Sequence, residues 1–280
     1  MIKPVLQDEA FLSEVKGARS DNAFFLWWLG QSGFLLKWRQ KFLLLDPYLS
    51  DSLTKKYAQT DKPHVRMTER VVSPEKLNFI NVVTSSHNHT DHLDAETLLP
   101  LFAVNPSAAF VIPEANREFV ANRLKTSPTF PVGLNDGQNV TVGDFSIHGV
   151  PAAHEKIDRD EAGRCHYMGY VVQFGPWTIY HSGDTVLYDG MIETLEKWPV
   201  DVALLPINGA APERRVAGNL DGREAATLAR SIGARLVIPC HFEMFEFNTA
   251  SPDQFIATCK KLNQRQRVLR AGEWWSSGEL

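Results

Sequence analysis

Apolar residues in this chain come in short runs bounded by turn residues, a pattern of strands more than of long helices. "FFLWWLG" and "GFLLKW" are aromatic-rich and separated by the turn-like "GQSG"; "KFLLLDPYLS" is a third run closed by Asp-Pro. Such spacing predicts an antiparallel meander. Residues 50–75 are polar without a clear period and read as an excursion or lid. Further on, strands and helices alternate. "FINVVTSS" and "AAFVIP" read as buried strands, and "EANREFVANRL" as a helix. "NVTV" and "FSIHGV" flank Asp144, and "YMGYVVQF" and "WTIYHS" flank Gly175-Pro176, a hairpin signal. "YDGMIETLEKW" reads as a helix and "DVALLPI" as a strand.

The last third alternates most cleanly. "DGREAATLARSIG" carries Asp221 as N-cap, Glu224 to close a capping box and Gly233 as the stop. "RLVIPC" is a strand, "SPDQFIATCKKLN" a helix with Ser251 as cap and Pro252 in its first turn, and "QRVLR" a closing strand. No Gly/Ser-rich or charged linker divides the chain. The expected architecture is one layered α/β domain over residues 1–280, two facing sheets with helices outside.

Composition acts mainly by exclusion. A net charge of -4 and a pI near 6.1 leave no basic footprint for nucleic acid or an anionic membrane. Three cysteines, Cys165, Cys240 and Cys259, do not form a disulfide framework. The N-terminal stretch has acidic residues where a secretory signal has an apolar core, and no apolar run is long enough to span a bilayer. A cytoplasmic protein is expected. Trp274 and Trp275 read as packing or subunit contacts, and an exposed pair there points to a homo-oligomer.

The chemistry concentrates in "SSHNHTDHLD", just beyond the carboxyl end of the strand "FINVV". His87, His89, Asp91 and His92 offer imidazole and carboxylate donors within one turn, a set suited to borderline or harder divalent ions. Such a segment cannot close a metal site alone. His154, Asp184 and His241 each follow an apolar run and stand at a break, the position that ligands favour at strand ends. His148, inside a strand, and His64, in the polar excursion, do not meet that rule. His181 is placed to orient Asp184 by a hydrogen bond. Cys240 precedes His241 on an extended strand, so it faces the opposite side, into the core. Ser32 lies in a strand-to-strand turn, which is not the setting of a nucleophile elbow.

The ordered set "HNHTDH", "AAHE", "SGDT" and "PCHF" resembles the metallo-β-lactamase superfamily, over nearly the whole chain. The resemblance implies an αβ/βα sandwich of four layers, two mixed sheets with outer helices. It implies one metal at His87, His89 and His154, a second at Asp91, His92 and His241, and Asp184 bridging both. Zn, Mn and Fe all occur in similar proteins. "WLGQSGFLLKW", "DPYLSDS", "GRCHYMGYVVQFGPWTIYHSGDT", "LLPINGAAPERRVAGNL" and "IPCHFEMFEFNT" resemble the L-ascorbate-6-phosphate lactonase-like branch.

A metal-dependent hydrolase follows, with a metal-activated hydroxide opening a lactone or ester of a small anionic substrate, Asp91 and Asp184 being the catalytic carboxylates. Asn208, Arg214 and Arg215, on the loop after "DVALLPI", are expected to hold the anion, with Arg159 and Arg164 as further cations and His166 near the same pocket. Tyr48, Tyr57 and the 50–75 excursion are expected to wall it. A phosphodiesterase uses the same machinery and stays open as an alternative, as does a metal-binding sensor or scaffold without turnover.

Overall fold

The computed structural model describes residues 1–280. Its first sheet starts with the predicted meander, β1 (Phe25–Gly30), β2 (Gly33–Trp38) and β3 (Lys41–Leu45), paired antiparallel. It continues through β4 (Val82–Thr84), β5 (Ala109–Pro113) and β6 (Val132–Leu134), all parallel. The near-continuous apolar runs have a direct cause. Leu26, Trp28, Phe34, Leu36, Leu43 and Leu45 point into the core between the sheets. Their neighbours Trp27, Leu29, Leu35 and Leu44 point into a second core on the other face. A sheet covered on both faces needs no polar alternation.

The outer core of that sheet is closed by α1 (Asp8–Gly17), α3 (Ala95–Val104) and α4 (Arg117–Leu124), through Phe11, Val15, Leu98, Leu101 and Val120. The short α2 (Ser52–Tyr57) lies in the 50–75 excursion. The second sheet holds β7 (Asn139–Val142) and β8 (Phe145–Pro151). A two-residue ribbon, β9 (Ala153–His154) and β10 (Lys156–Ile157), follows, and the sheet resumes with β11 (Met168–Phe174), β12 (Trp177–His181), β13 (Val202–Pro206) and β14 (Leu236–Cys240). Its last three strands run parallel. The short α5 (Met191–Leu195), α6 (Gly222–Ser231) and α7 (Asp253–Leu262) cover its outer side. The result is the four-layer αβ/βα arrangement. The expected Asp221–Glu224 capping box opens α6.

Several elements differ from expectation. "QRVLR" forms a single bridge, Gln266 to Val237. Val237 N–H donates to the Arg265 carbonyl and Arg267 N–H to the Val237 carbonyl, but the next donor on that edge of β14 is Pro239, which has no N–H. The closing strand is instead β15 (Trp274–Ser276), antiparallel to β1. Trp275 is buried in the main core and Trp274 is partly exposed, so the two do not form an exposed pair. "YDGMIETLEKW" shortens to α5, and the first residues of "EANREFVANRL" form a 3-10 turn before α4. Helices α1 and α3 were not expected. No helix is long and apolar enough to cross a membrane.

Candidate metal centre

The strand topology brings the polar strand ends together. His87 follows β4, Asp184 follows β12, His241 follows β14, and His154 ends β9. The backbone ties these segments to each other. Met168 N–H donates to the Ser86 carbonyl, His241 N–H to the Gln31 carbonyl, and Ala153 N–H to Thr185 Oγ1. The two sheets are thus linked at the very loops that carry the donors.

Two clusters result, each with donor atoms within 4.8 Å of one another: His87, His89 and His154, and Asp91, His92 and His241. Asp184 stands between them. Its Oδ1 is 3.2 Å from His92 Nε2, and its Oδ2 is 3.3 Å from His241 Nε2 and 3.8 Å from His154 Nε2. His87 Nε2, His92 Nε2 and Asp184 Oδ1 are buried yet make no aligned hydrogen bond. Unpaired polar atoms are costly in a protein interior. Here they converge on one small volume, as ligands around a cation do.

The outward ring nitrogens of His92, His87 and His154, by contrast, are held, whereas His241 Nδ1 is buried without a partner. His92 Nδ1 meets Asp46 Oδ2 at 2.7 Å, His87 Nδ1 meets Ser86 Oγ at 3.0 Å, and His154 Nδ1 meets the Gly218 carbonyl at 3.1 Å. A proton fixed on the Nδ1 of His92 or His154 leaves Nε2 with its lone pair toward the centre. Asp46, His87 and His92 also lie close enough to count as a third donor group, but Asp46 meets the rear of His92 and is bonded by Ser86 N–H, Ser86 Oγ–H and Thr84 Oγ1–H. We read Asp46 as an orienting group.

Electrostatics separates the two clusters. Burial pushes the pKa of His87 far down and lowers those of His89 and His154, so all three are neutral donors near pH 7. Burial also opposes charge on His92 and His241, but the carboxylates of Asp184 and Asp91 outweigh it. They raise His92 well above its usual value and bring His241 to about 9. This half of the site draws in positive charge, and a divalent cation would supply it by displacing those protons. The all-nitrogen-and-oxygen donor set suits such an ion.

Strain gathers at the same place. Gln31, Asp46 and His241 have φ of +50°, +39° and +61°, the left-handed region that costs non-glycine residues about 1–3 kcal/mol each. Gly183 precedes Asp184 at φ +60°, and a Cβ there would lie 2.6 Å from Ser86 Cβ and 2.9 Å from the Met168 carbonyl oxygen. Gly183→Ala is therefore expected to lose about 1–3 kcal/mol of stability and to displace Asp184. Denaturant unfolding together with metal titration checks both effects, and a wild-type midpoint with full metal binding would contradict the prediction.

Residues 42–242 match the family described as "Beta-lactamase superfamily domain". The chain belongs to the β-lactamase superfamily. A UPF0173 metal-dependent hydrolase of Pyrococcus abyssi is 30% identical over 251 residues, 88% of this chain and 96% of that relative. This β-lactamase superfamily member is thus a metal-dependent hydrolase of the UPF0173 family. Solved structures share its fold at low identity. A possible metal-dependent hydrolase of Veillonella parvula superimposes with a TM-score of 0.71 at 16% identity, covering 90% of this chain and 98% of that one. The metallo-β-lactamase fold protein YhfI of Bacillus subtilis gives 0.65 at 20%, covering 91% and 99%.

Other sequence-picked residues of this superfamily member sit elsewhere. His181 Nε2 meets the Ser32 carbonyl at 2.9 Å, and its ring lies against Phe34, so it points between the sheets and makes no bond to Asp184. Arg214 donates to the carbonyls of Asn208 and Thr249 and to Asn248 Oδ1, and Arg215 pairs with the exposed Asp61. The buried Asn208 bonds Asn248 and Asn219. His166 meets Asn116, Arg159 pairs with Asp136, and Arg164 with Asp160. None of these lines the cleft over the two donor clusters. Tyr57 does line it, whereas Tyr48 is fully buried behind it. Cys240 lies in the main core, where burial raises its thiol pKa far up.

Sequence reasoning missed Asp46, Gln31 and His64. Asp46 ends the apolar run "FLLLD" and meets the same strand-end rule as the candidate donors. Gln31 Nε2 donates to Asp91 Oδ2 at 2.7 Å and lies 3.1 Å from His241 Nε2. His64 enters the cleft wall because the excursion folds back, with Thr54 Oγ1–H donating to the His64 carbonyl.

Proposed function

We propose that the protein hydrolyses an ester bond of a small molecule, foremost a lactone. In this reading His87, His89 and His154 would hold one divalent cation, and Asp91, His92 and His241 would hold a second. Asp184, between the clusters, would serve both. The observation that carries it is the set of buried, unbonded donor atoms aimed at a shared volume beneath an open cleft. Bound there, a cation pair lowers the pKa of a water and stabilises charge on the reacting oxygen.

The chain's own groups account for the rest. The water oxygen bonds to the acyl carbon, the bond from that carbon to the alkoxy oxygen breaks, and a proton passes to the departing oxygen. Asp91 is the group that relays it, held in place by Gln31 at Oδ2. Asp46, Ser86 and the Gly218 carbonyl keep the imidazoles aimed. The likeness to the lactonase-like branch supports a lactone, while of the expected anion clamp Arg214 is engaged by Asn208, Asn248 and Thr249, and Arg215 pairs through Nη1 with the exposed Asp61.

Elemental analysis after saturation with zinc or manganese and desalting is expected to give about two ions per chain. Chelation is expected to abolish turnover and to lower the melting temperature, because the ions bind only the folded site. One ion per chain overturns the paired centre. A panel of lactones and phosphodiesters then tests the reaction. Turnover of lactones with inert phosphodiesters supports the reading, the reverse replaces it with a phosphodiesterase, and a fully loaded but inactive protein points to a sensor.

A further inference from the structure

The metal clusters form only the floor of the cleft; its walls carry separate information. The cleft encloses ≈ 520 Å³, inside the range of about 300–1,000 Å³ for small-molecule sites. One wall is a stack of rings. Tyr57 and His64 lie with centroids 4.1 Å apart and planes at 18°, and Phe247 meets His64 edge-on at 4.5 Å. Phe245 supports His64 at 5.3 Å. A further aromatic surface is Tyr167, whose ring is 5.1 Å from His87 and 5.4 Å from His154.

The charged side chains of the cleft are of both signs and form no concentrated anion clamp. Lys56 is exposed. Arg123 has Nη1 engaged by the carbonyls of Asn88 and Leu93, and its guanidinium lies over Phe119. Glu155 and the two carboxylates Asp91 and Asp184 lie in the same lining. An anion pressed against the ring wall would meet one ammonium there, that of the exposed Lys56, without the paired donors of a guanidinium fork. A flat apolar group would gain ring contact there and exclude water.

We propose that the cleft selects substrates with an aromatic group beside the bond that is cut, seated on the Tyr57–His64–Phe247 wall. This rests on the hydrolase reading for the chemistry, but the recognition is read separately by binding. Product-like carboxylates serve as probes of the metal-loaded wild-type protein in calorimetry: 4-phenylbutanoate, 4-cyclohexylbutanoate, pentanoate and glutarate. The phenyl acid is expected to bind about tenfold tighter than pentanoate and several-fold tighter than the cyclohexyl acid. In Tyr57→Leu/Phe247→Leu that preference is expected to vanish while pentanoate affinity stays at the wild-type level. Equal binding of phenyl and cyclohexyl acids, no measurable binding of any probe, or a preference for glutarate overturns the inference. These wild-type comparisons decide it even if the double variant does not fold.

Turnover separates the two readings. γ-Phenyl-γ-butyrolactone is expected to show a lower KM than γ-methyl-γ-butyrolactone. Turnover of both lactones without that preference leaves the hydrolase standing and removes the aromatic selection. Aryl-selective binding with no turnover of any ester does the opposite.

Discussion

Asp184→Asn is expected to fold as the wild type does and to lose turnover by roughly 10³-fold or more, about 4 kcal/mol of transition-state stabilisation. The side chain is buried at the end of β12. Its two oxygens face His92 on one side and His154 and His241 on the other. Asparagine keeps the shape but removes the negative charge and turns one acceptor into a donor pointed at imidazole nitrogens. The site then has a single carboxylate, Asp91, to balance two cations. Metal content is expected to fall below two ions per chain even at saturation. Because Asp184 makes no aligned hydrogen bond through Oδ1, the backbone around it loses no partner there, and far-ultraviolet circular dichroism should be unchanged. A variant that keeps two ions and stays within tenfold of wild-type kcat/KM would remove Asp184 from the proposed centre.

The legibility of this protein follows from where its information is local. Strands β1 to β3 were readable because each is buried on both faces, so most positions report the same apolar preference, Lys37 being an exception whose ammonium donates to the Val15 and Ala18 carbonyls. The capping box of α6 was readable because its signal spans only Asp221 to Glu224. The donor residues were readable because each stands where an apolar run breaks. Less visible was what depends on distant partners. The fate of "QRVLR" turned on Pro239, a residue in another strand. Arg214 and Arg215 looked like anion clamps in the sequence, but Asn248, Thr249 and Asp61 had to be placed in space to show what engages them. His64 sits in a segment without periodicity, and only the folding back of the excursion brings it to Tyr57 and Phe247. Helix α3 was hidden by its context, since its N-cap, Asp94, directly follows the histidine motif and reads as part of it.

Asp46→Asn is expected to weaken binding at the Asp91–His92–His241 cluster by about 10–100-fold, the usual consequence of losing the group that orients a ligating histidine. Asp46 is fully buried and holds His92 through Nδ1 at 2.7 Å while accepting from Ser86 N–H at 3.0 Å. Asparagine tolerates the φ of +39° at this position, so backbone strain stays nearly constant. The change falls on one atom. Where Asp46 Oδ2 accepted the Nδ1 proton, the amide NH2 donates. His92 must then present Nδ1 as acceptor and carry its proton on Nε2, the nitrogen that faces Asp184 and Asp91. A protonated Nε2 has no lone pair for a cation. Rotating the amide restores an acceptor for His92 but sets its donor against Ser86 N–H, which already donates to Asp46. Either arrangement leaves a buried polar group unsatisfied, at about 1–3 kcal/mol. Competition with a chromophoric chelator measures the affinity, and excess metal tells the cause. Recovery of activity at high metal concentration assigns the loss to binding, whereas an unchanged affinity would mean that Asp46 does not set the tautomer of His92.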